Sequence, residues 1–161
     1  MKSIFYYQTD IGEIKIAENG NSITNLYFQG ENIPKDFIVQ ETALLKEAAE
    51  QLRSYLAGNR KNFTLPLALD GTDFMLSVWK ALSVIPYGET RSYGEIARSV
   101  GRPKAARAVG LANNKNPIPL FIPCHRVIGA NGKLVGYLGG LHIKEQLLEL
   151  EKQHMILQKT L

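Results

Sequence analysis

The only cysteine of the chain closes an apolar run set between two prolines, Ile118-Pro119-Leu120-Phe121-Ile122-Pro123-Cys124-His125-Arg126-Val127. The prolines fix the backbone on either side of the run. The run then delivers a thiol, an imidazole and a guanidinium at three successive positions. A lone cysteine is often a small buried hydrophobe, but His125 and Arg126 give Cys124 an electropositive setting of the kind that favours thiolate. In an extended segment successive side chains point to opposite faces, so no direct hydrogen bond from His125 to the thiol is expected. A water relay, or a bend after Pro123, is then required. A carboxylate should orient the imidazole. Glu145, Glu149 and Glu151 on the last helix are the candidates, and spacing does not choose among them.

The remainder of the composition excludes other chemistries. One cysteine allows no internal disulfide. His125, His142 and His154 are the only histidines, so the N-terminal half offers no metal-ligand cluster, and neither a metal nor another cofactor is expected. The glycines between Gly129 and Gly140 match neither phosphate-loop pattern; with Tyr137 they read as a loop walling a pocket over Cys124. No stretch approaches the ~18 apolar residues of a membrane span, and the N-terminus lacks the apolar core of a signal peptide. A cytoplasmic protein with no membrane partner is the expectation. Charge is uneven: seven Lys and Arg face nine Asp and Glu in residues 1–71, but twelve face six in residues 72–161. The basic half carries the cysteine, which points to a polyanion such as nucleic acid.

At 161 residues the chain can build one sizeable core or two small lobes. Alternation predicts strands at 3–7, 13–17 and 22–28, a three-stranded antiparallel meander. Residues 31–40, with Pro34, read as a loop. Leu44, Leu45, Ala48, Leu52, Tyr55 and Leu56 recur at helical spacing over 41–57, with Gly58 as the stop. Phe63, Leu65 and Leu67 alternate as in a short strand. Thr72 and Asp73 cap a helix whose face carries Phe74, Val78 and Leu82, with Trp79 in the core. The last helix, Leu141 to about Gln153, should bury Ile143, Leu147 and Leu150.

Between these helices, Ser92-Tyr93-Gly94-Glu95 has the spacing of a capping box. The short helix it starts is broken by Val100-Gly101-Arg102-Pro103, and a second helix begins near Lys104 and runs to about Asn113. Two short helices across a tight glycine turn suggest a helix-turn-helix, and Arg91, Arg98, Arg102, Lys104, Arg107 and Lys115 decorate it. Side chains suited to reading bases are nearly absent from the second helix. Ala105, Ala106, Ala108 and Gly110 permit close backbone approach instead, which predicts contact by shape with little sequence preference. Arg107 is the one long side chain on that smooth surface.

Pro123-Cys124-His125-Arg126-Val127, with Ile85-Pro86-Tyr87-Gly88, Ser92-Tyr93, Lys104-Ala105-Ala106-Arg107-Ala108-Val109-Gly110 and Asn116-Pro117, closely resembles the O6-alkylguanine-DNA alkyltransferase family, densely so from about Thr72 to Glu151. The resemblance implies an α+β protein in two parts. Residues 1–70 would form a ribonuclease-H-like lobe, an antiparallel three-stranded sheet plus a helix. Residues 71–161 would form a mostly helical, winged-helix-like lobe with the helix-turn-helix, for DNA binding and alkyl transfer.

It further implies a monomer that binds double-stranded DNA through the minor groove and flips out O6-alkylguanine, and O4-alkylthymine with it. The alkyl group passes irreversibly and stoichiometrically to Cys124. By position, His125 deprotonates Cys124 through a water, Glu151 orients His125, and Tyr93 donates to the departing guanine. Arg107 fills the gap left by the flipped nucleotide, while Ser92, Tyr93, Arg102, Lys104, Ala105, Ala106 and Lys115 complete the DNA-binding set. Asn116 braces the turn before the active-site segment, Lys144 lies near the pocket, and the carbonyls of Cys124 and Val127 accept from the guanine amine. Tyr137 and Leu138 belong to the pocket; Leu138 stands where several relatives carry a small or hydroxyl residue. The zinc site of some relatives cannot form without further cysteines. The alternatives are a non-catalytic binder of alkylated DNA, against which Cys124 speaks, and a cysteine hydrolase, for which no oxyanion donor pair is evident. On this reading, DNA affinity measured by fluorescence anisotropy falls steeply as salt rises and changes little between duplexes of unrelated sequence; a flat salt response would contradict it.

Overall fold

The computed structural model describes the backbone of residues 2–160 and the side chains as far as Met155. The fold is α+β, and the chain divides into two compact units, Met1–Leu69 and Asp70–Leu161.

In the first unit, β1 (Ser3–Thr9), β2 (Gly12–Glu18) and β3 (Ile23–Phe28) form an antiparallel meander. Gly12, at φ 94°, makes the tight reversal between the first two strands. The sheet is not three-stranded, as the sequence suggested: β4 (Ile38–Val39) pairs in parallel with β1, giving the order β3-β2-β1-β4. A strand of two exposed residues carries no periodicity, so its segment reads as loop. The alternation at Phe63, Leu65 and Leu67 yields only a single bridge, Ile23 to Leu67. Pro66 explains the shortfall, since it lends its carbonyl to Ile23 but has no N–H for a ladder. Helix α1 (Ala43–Leu56) is capped by Thr42, whose hydroxyl oxygen accepts from the Leu45 N–H. It buries Leu45, Ala48, Leu52 and Tyr55, and the sheet buries Ile4, Ile14, Ile16 and Leu26.

The second unit begins with α2 (Asp73–Ser83), capped by Thr72. Its Trp79 is buried, and the indole N–H donates to the Ala112 carbonyl at 2.9 Å. That bond ties α2 to α4 inside the core, where an unpaired indole N–H would be costly. Phe74, expected on the buried face, is only half-buried and carries the Arg102 guanidinium 5.5 Å above its ring. A two-residue strand β5 (Arg91–Ser92) leads into α3 (Tyr93–Ser99), where both bonds of the Ser92/Glu95 capping box are made. Gly101, at φ 77°, turns the chain towards α4 (Ala106–Asn114). The two helices pack together as a helix-turn-helix.

The apolar run that follows is buried from Ile118 to Val127. It ends in a single 3-10 turn, Cys124–Arg126, and then β6 (Val127–Ile128), which pairs in parallel with β5. The last helix, α5, spans Leu141–Thr160, longer than the sequence suggested.

Candidate active site

Cys124 does not lie in extended backbone. Pro123, at φ −79° and ψ 63°, ends the apolar run, and the Arg126 N–H returns to the Pro123 carbonyl at 3.0 Å. The bend therefore replaces the alternation of an extended segment, and the thiol, imidazole and guanidinium fan out from one turn.

Glu151 collects two of the three. Its carboxylate accepts from His125 Nε2 at 2.8 Å, from Arg126 Nε at 2.9 Å, from Arg126 Nη2 at 3.0 Å and from the Gly88 N–H at 3.0 Å. All of this is buried, with Glu151 1% and His125 0% exposed. Arg126 also donates to the Ile85 carbonyl at 2.7 Å and lies 5.6 Å over the Tyr87 ring. The segment Ile85 to Gly88 is thereby fastened to the same carboxylate. Burial alone would raise the Glu151 pKa, but hydrogen bonds and charge from His125 and Arg126 outweigh it and hold the carboxyl at about 2.

Of the three carboxylates the spacing left open, Glu145 and Glu149 are exposed. The buried stripe of α5 is Lys144, Leu147 and Glu151, and the expected Ile143 and Leu150 are only half-buried. Two members of that stripe are ionisable, so hydropathy places the inward face on the wrong side.

The electropositive setting expected for the thiol is also overturned. Arg126 is committed to Glu151, and Cys124 is 2% exposed. Burial pushes its pKa to about 11, against smaller lowering influences from an Asn116 hydrogen bond and the Lys144 charge. The thiol is therefore protonated at neutral pH and needs a base. Burial also lowers the His125 pKa, opposed by its bond to Glu151 and assisted by Arg126 and Lys144. With Glu151 ionised, the neutral imidazole carries its proton on Nε2, and Nδ1 is the basic nitrogen.

Asn116 is buried; its Nδ2 donates to the Ile122 carbonyl at 2.9 Å and its Oδ1 accepts from the Ile118 N–H at 3.0 Å. It closes the loop in which Leu120 holds a φ of 76°, a left-handed conformation that a leucine adopts only under constraint. Sequence reasoning missed Asn113, which is buried and donates through Nδ2 to the Cys124 carbonyl at 3.3 Å. The available signal was its place four residues after Val109, on the apolar side of α4. The Tyr93 hydroxyl donates to the Val135 carbonyl at 2.8 Å, and its ring covers Gly110, where an added Cβ would sit 3.7 Å from the ring. Burial, then the nearby Cys124, raise its pKa. Lys144 is fully buried, and burial pulls its pKa down to about 8.

Val127 is buried, Tyr137 half-buried and Leu138 46% exposed. The remaining predicted residues lie on the surface. Arg102, Lys104, Arg107 and Lys115 are exposed, Ala105 and Ala106 half-buried, and Ser92 is occupied in the capping box. Among the described residues no group of three or more His, Cys, Asp and Glu could hold a metal ion. No helix among them is long and apolar enough to cross a membrane.

Fold and site together define a protein with a buried thiol, imidazole and carboxylate in the same unit as a helix-turn-helix. Residues 73–153 match the family model for the 6-O-methylguanine DNA methyltransferase DNA-binding domain, and residues 4–69 match that for the family's ribonuclease-like domain. The chain is 53% identical over 152 residues to a methylated-DNA--protein-cysteine methyltransferase of Methanosarcina barkeri, covering 92% of this chain and 96% of the relative. It is 50% identical over 152 residues to the constitutive methylated-DNA--protein-cysteine methyltransferase of Bacillus subtilis, covering 90% and 92%. A crystal structure of Mycobacterium tuberculosis OGT in complex with DNA superposes with a TM-score of 0.91 at 49% identity, covering 94% of each chain. The chain belongs to the 6-O-methylguanine DNA methyltransferase family.

The Glu151 cluster has a measurable signature. Glu151→Gln should cost about 3 kcal/mol or more at pH 7, because Arg126 is left buried without its counter-charge. The folded pKa of about 2 lies below the ordinary 4.5, so this stabilisation is complete above pH 4.5 and is lost as pH falls towards 2. Urea unfolding across that window should show the wild type and Glu151→Gln converging; an equal gap at pH 7 and pH 3 would contradict the assignment.

Proposed function

We propose that this chain is a single-use DNA repair protein that takes the alkyl group from O6 of guanine in duplex DNA onto the sulfur of Cys124. The observation that supports this reading best is the protonated, buried thiol on a turn whose next residue is a neutral imidazole backed by an ionised carboxylate. In the transfer, His125 Nδ1 takes the thiol proton through a water. The thiolate attacks the alkyl carbon, the sulfur–carbon bond forms, the carbon–O6 bond breaks, and the electron pair leaves with the guanine. Tyr93 supplies a proton or hydrogen bond to that leaving group.

A thiol this deep is out of reach of a base stacked in a duplex, so the lesion is flipped outwards. Flipping costs a few kcal/mol, least for a badly paired alkylguanine, which contributes selectivity. The surface of Ala105, Ala106 and Ala108 lies in the minor groove, with Arg107 in the gap left by the nucleotide, while Gly110 lies under the Tyr93 ring. Ser92, Arg102, Lys104 and Lys115 meet the backbone. The carbonyls of Cys124 and Val127 accept from the guanine amine; Asn113 uses only one lone pair of the Cys124 carbonyl. Tyr137 and Leu138 wall the pocket and Asn116 braces the turn. O4-alkylthymine is a second substrate, and the protein acts as a cytoplasmic monomer without a cofactor.

Intact-mass spectrometry after incubation with DNA containing O6-methylguanine should show one addition of about 14 Da per chain, on Cys124, as expected for covalent capture. Cys124→Ser should abolish transfer and leave DNA affinity within about twofold, since no DNA contact is removed. Repeated turnover with no adduct would identify a hydrolase, and affinity without either reaction a binder.

A further inference from the structure

Lys144 is among the largest fully buried side chains of the chain, yet no carboxylate pairs with it among the described residues. An ammonium held out of water without a counter-ion is destabilising unless other groups compensate. Its Nζ instead donates to two carbonyls of the loop before α5, Val135 at 3.0 Å and Gly136 at 3.3 Å. The Val135 carbonyl is the same atom that accepts the Tyr93 hydroxyl at 2.8 Å. One oxygen thus has a donor from α5 and a donor from α3, one for each of its lone pairs. Gly136, at φ 53°, turns the loop there against Asn114, where an added Cβ would press on the Asn114 side chain at 3.2 Å. At this point the loop is pinned by a charged side chain.

We propose that Lys144 is a positioning residue for the alkyl transfer, its ammonium fixing the Val135 carbonyl so that this oxygen parks the Tyr93 hydroxyl beside the thiol until guanine replaces it as acceptor. The inference rests on the role proposed for Tyr93. Charge suits the task better than a neutral donor, because a charge-assisted bond holds a flexible loop carbonyl more firmly. Tyr93 cannot donate to the leaving base while it donates to Val135, so the hand-over is a step of the transfer.

A double-mutant cycle on the full chain tests this, with single-turnover transfer measured at saturating O6-methylguanine DNA and affinity measured separately. Lys144→Met should slow transfer at least about tenfold with affinity unchanged within about twofold, as for a misplaced reacting group. Lys144→Arg should recover most of the rate. In a Tyr93→Phe background, Lys144→Met should cost less than about threefold, because the two act through one carbonyl. Tyr93→Phe alone, which removes one hydroxyl, should raise amide exchange in residues 134–137; this reading stands even if Lys144→Met fails to fold. Multiplicative losses in the cycle, wild-type transfer by Lys144→Met, or unchanged exchange in Tyr93→Phe would each overturn the proposal. A wild-type protein that transfers no alkyl group would overturn the proposed function instead.

Discussion

One buried carboxylate holds the reactive part of this protein together. Glu151 reaches in from α5 and takes hydrogen bonds from His125, Arg126 and the Gly88 backbone, so two separate segments are fastened to the two oxygens of a third. Burying an anion, a guanidinium and an imidazole in one place is tolerable only because nearly every lone pair is used. Geometry leaves little slack in the arrangement. Gly88 sits at φ 82°, and a Cβ there would run into the Met155 side chain, so the N–H that caps Glu151 depends on a glycine. The outcome is a fixed imidazole with Nδ1 as its basic nitrogen. A thiol with a pKa near 11 can then stay protonated, and so protected from stray electrophiles, until a substrate arrives.

The recognition helix is joined to this site through its inner face. Val109, Ala112 and Asn113 point inwards, where Ala112 accepts from Trp79 and Asn113 donates to the carbonyl of the nucleophile itself. Arg107, Ala108 and Leu111 are exposed on the outer face. A single helix of nine residues thus carries both the proposed groove contact and a strut to Cys124. Small residues serve both faces, since they admit a close neighbour outside and the Tyr93 ring over Gly110 inside.

Much of the fold was legible because its signals are local. Alternation found the three long strands, Ser92 and Glu95 announced α3, Gly101 marked the turn to α4, and Thr72 marked the start of α2. What escaped depends on non-local terms. β4 is two exposed residues whose only claim to be a strand is the hydrogen bonding of β1. The choice among Glu145, Glu149 and Glu151 was hidden because α5 turns Lys144 and Glu151 inwards along with Leu147. The thiol was misjudged because neighbours in sequence suggested positive charge, whereas desolvation, a property of the folded surroundings, dominates its titration. Asn113 carries no motif, and its contact with Cys124 exists only once α4 packs against the turn.

The claim at the centre of this account is that burial keeps His125 neutral while Glu151 holds its proton on Nε2. Nitrogen-15 NMR of the histidine rings between pH 5 and pH 8 reports both properties directly. The predicted result is a His125 signal of the Nε2–H tautomer that does not titrate near the ordinary value of 6.5, because burial lowers its pKa. An imidazolium forming near pH 6.5, or a proton resting on Nδ1, would contradict it.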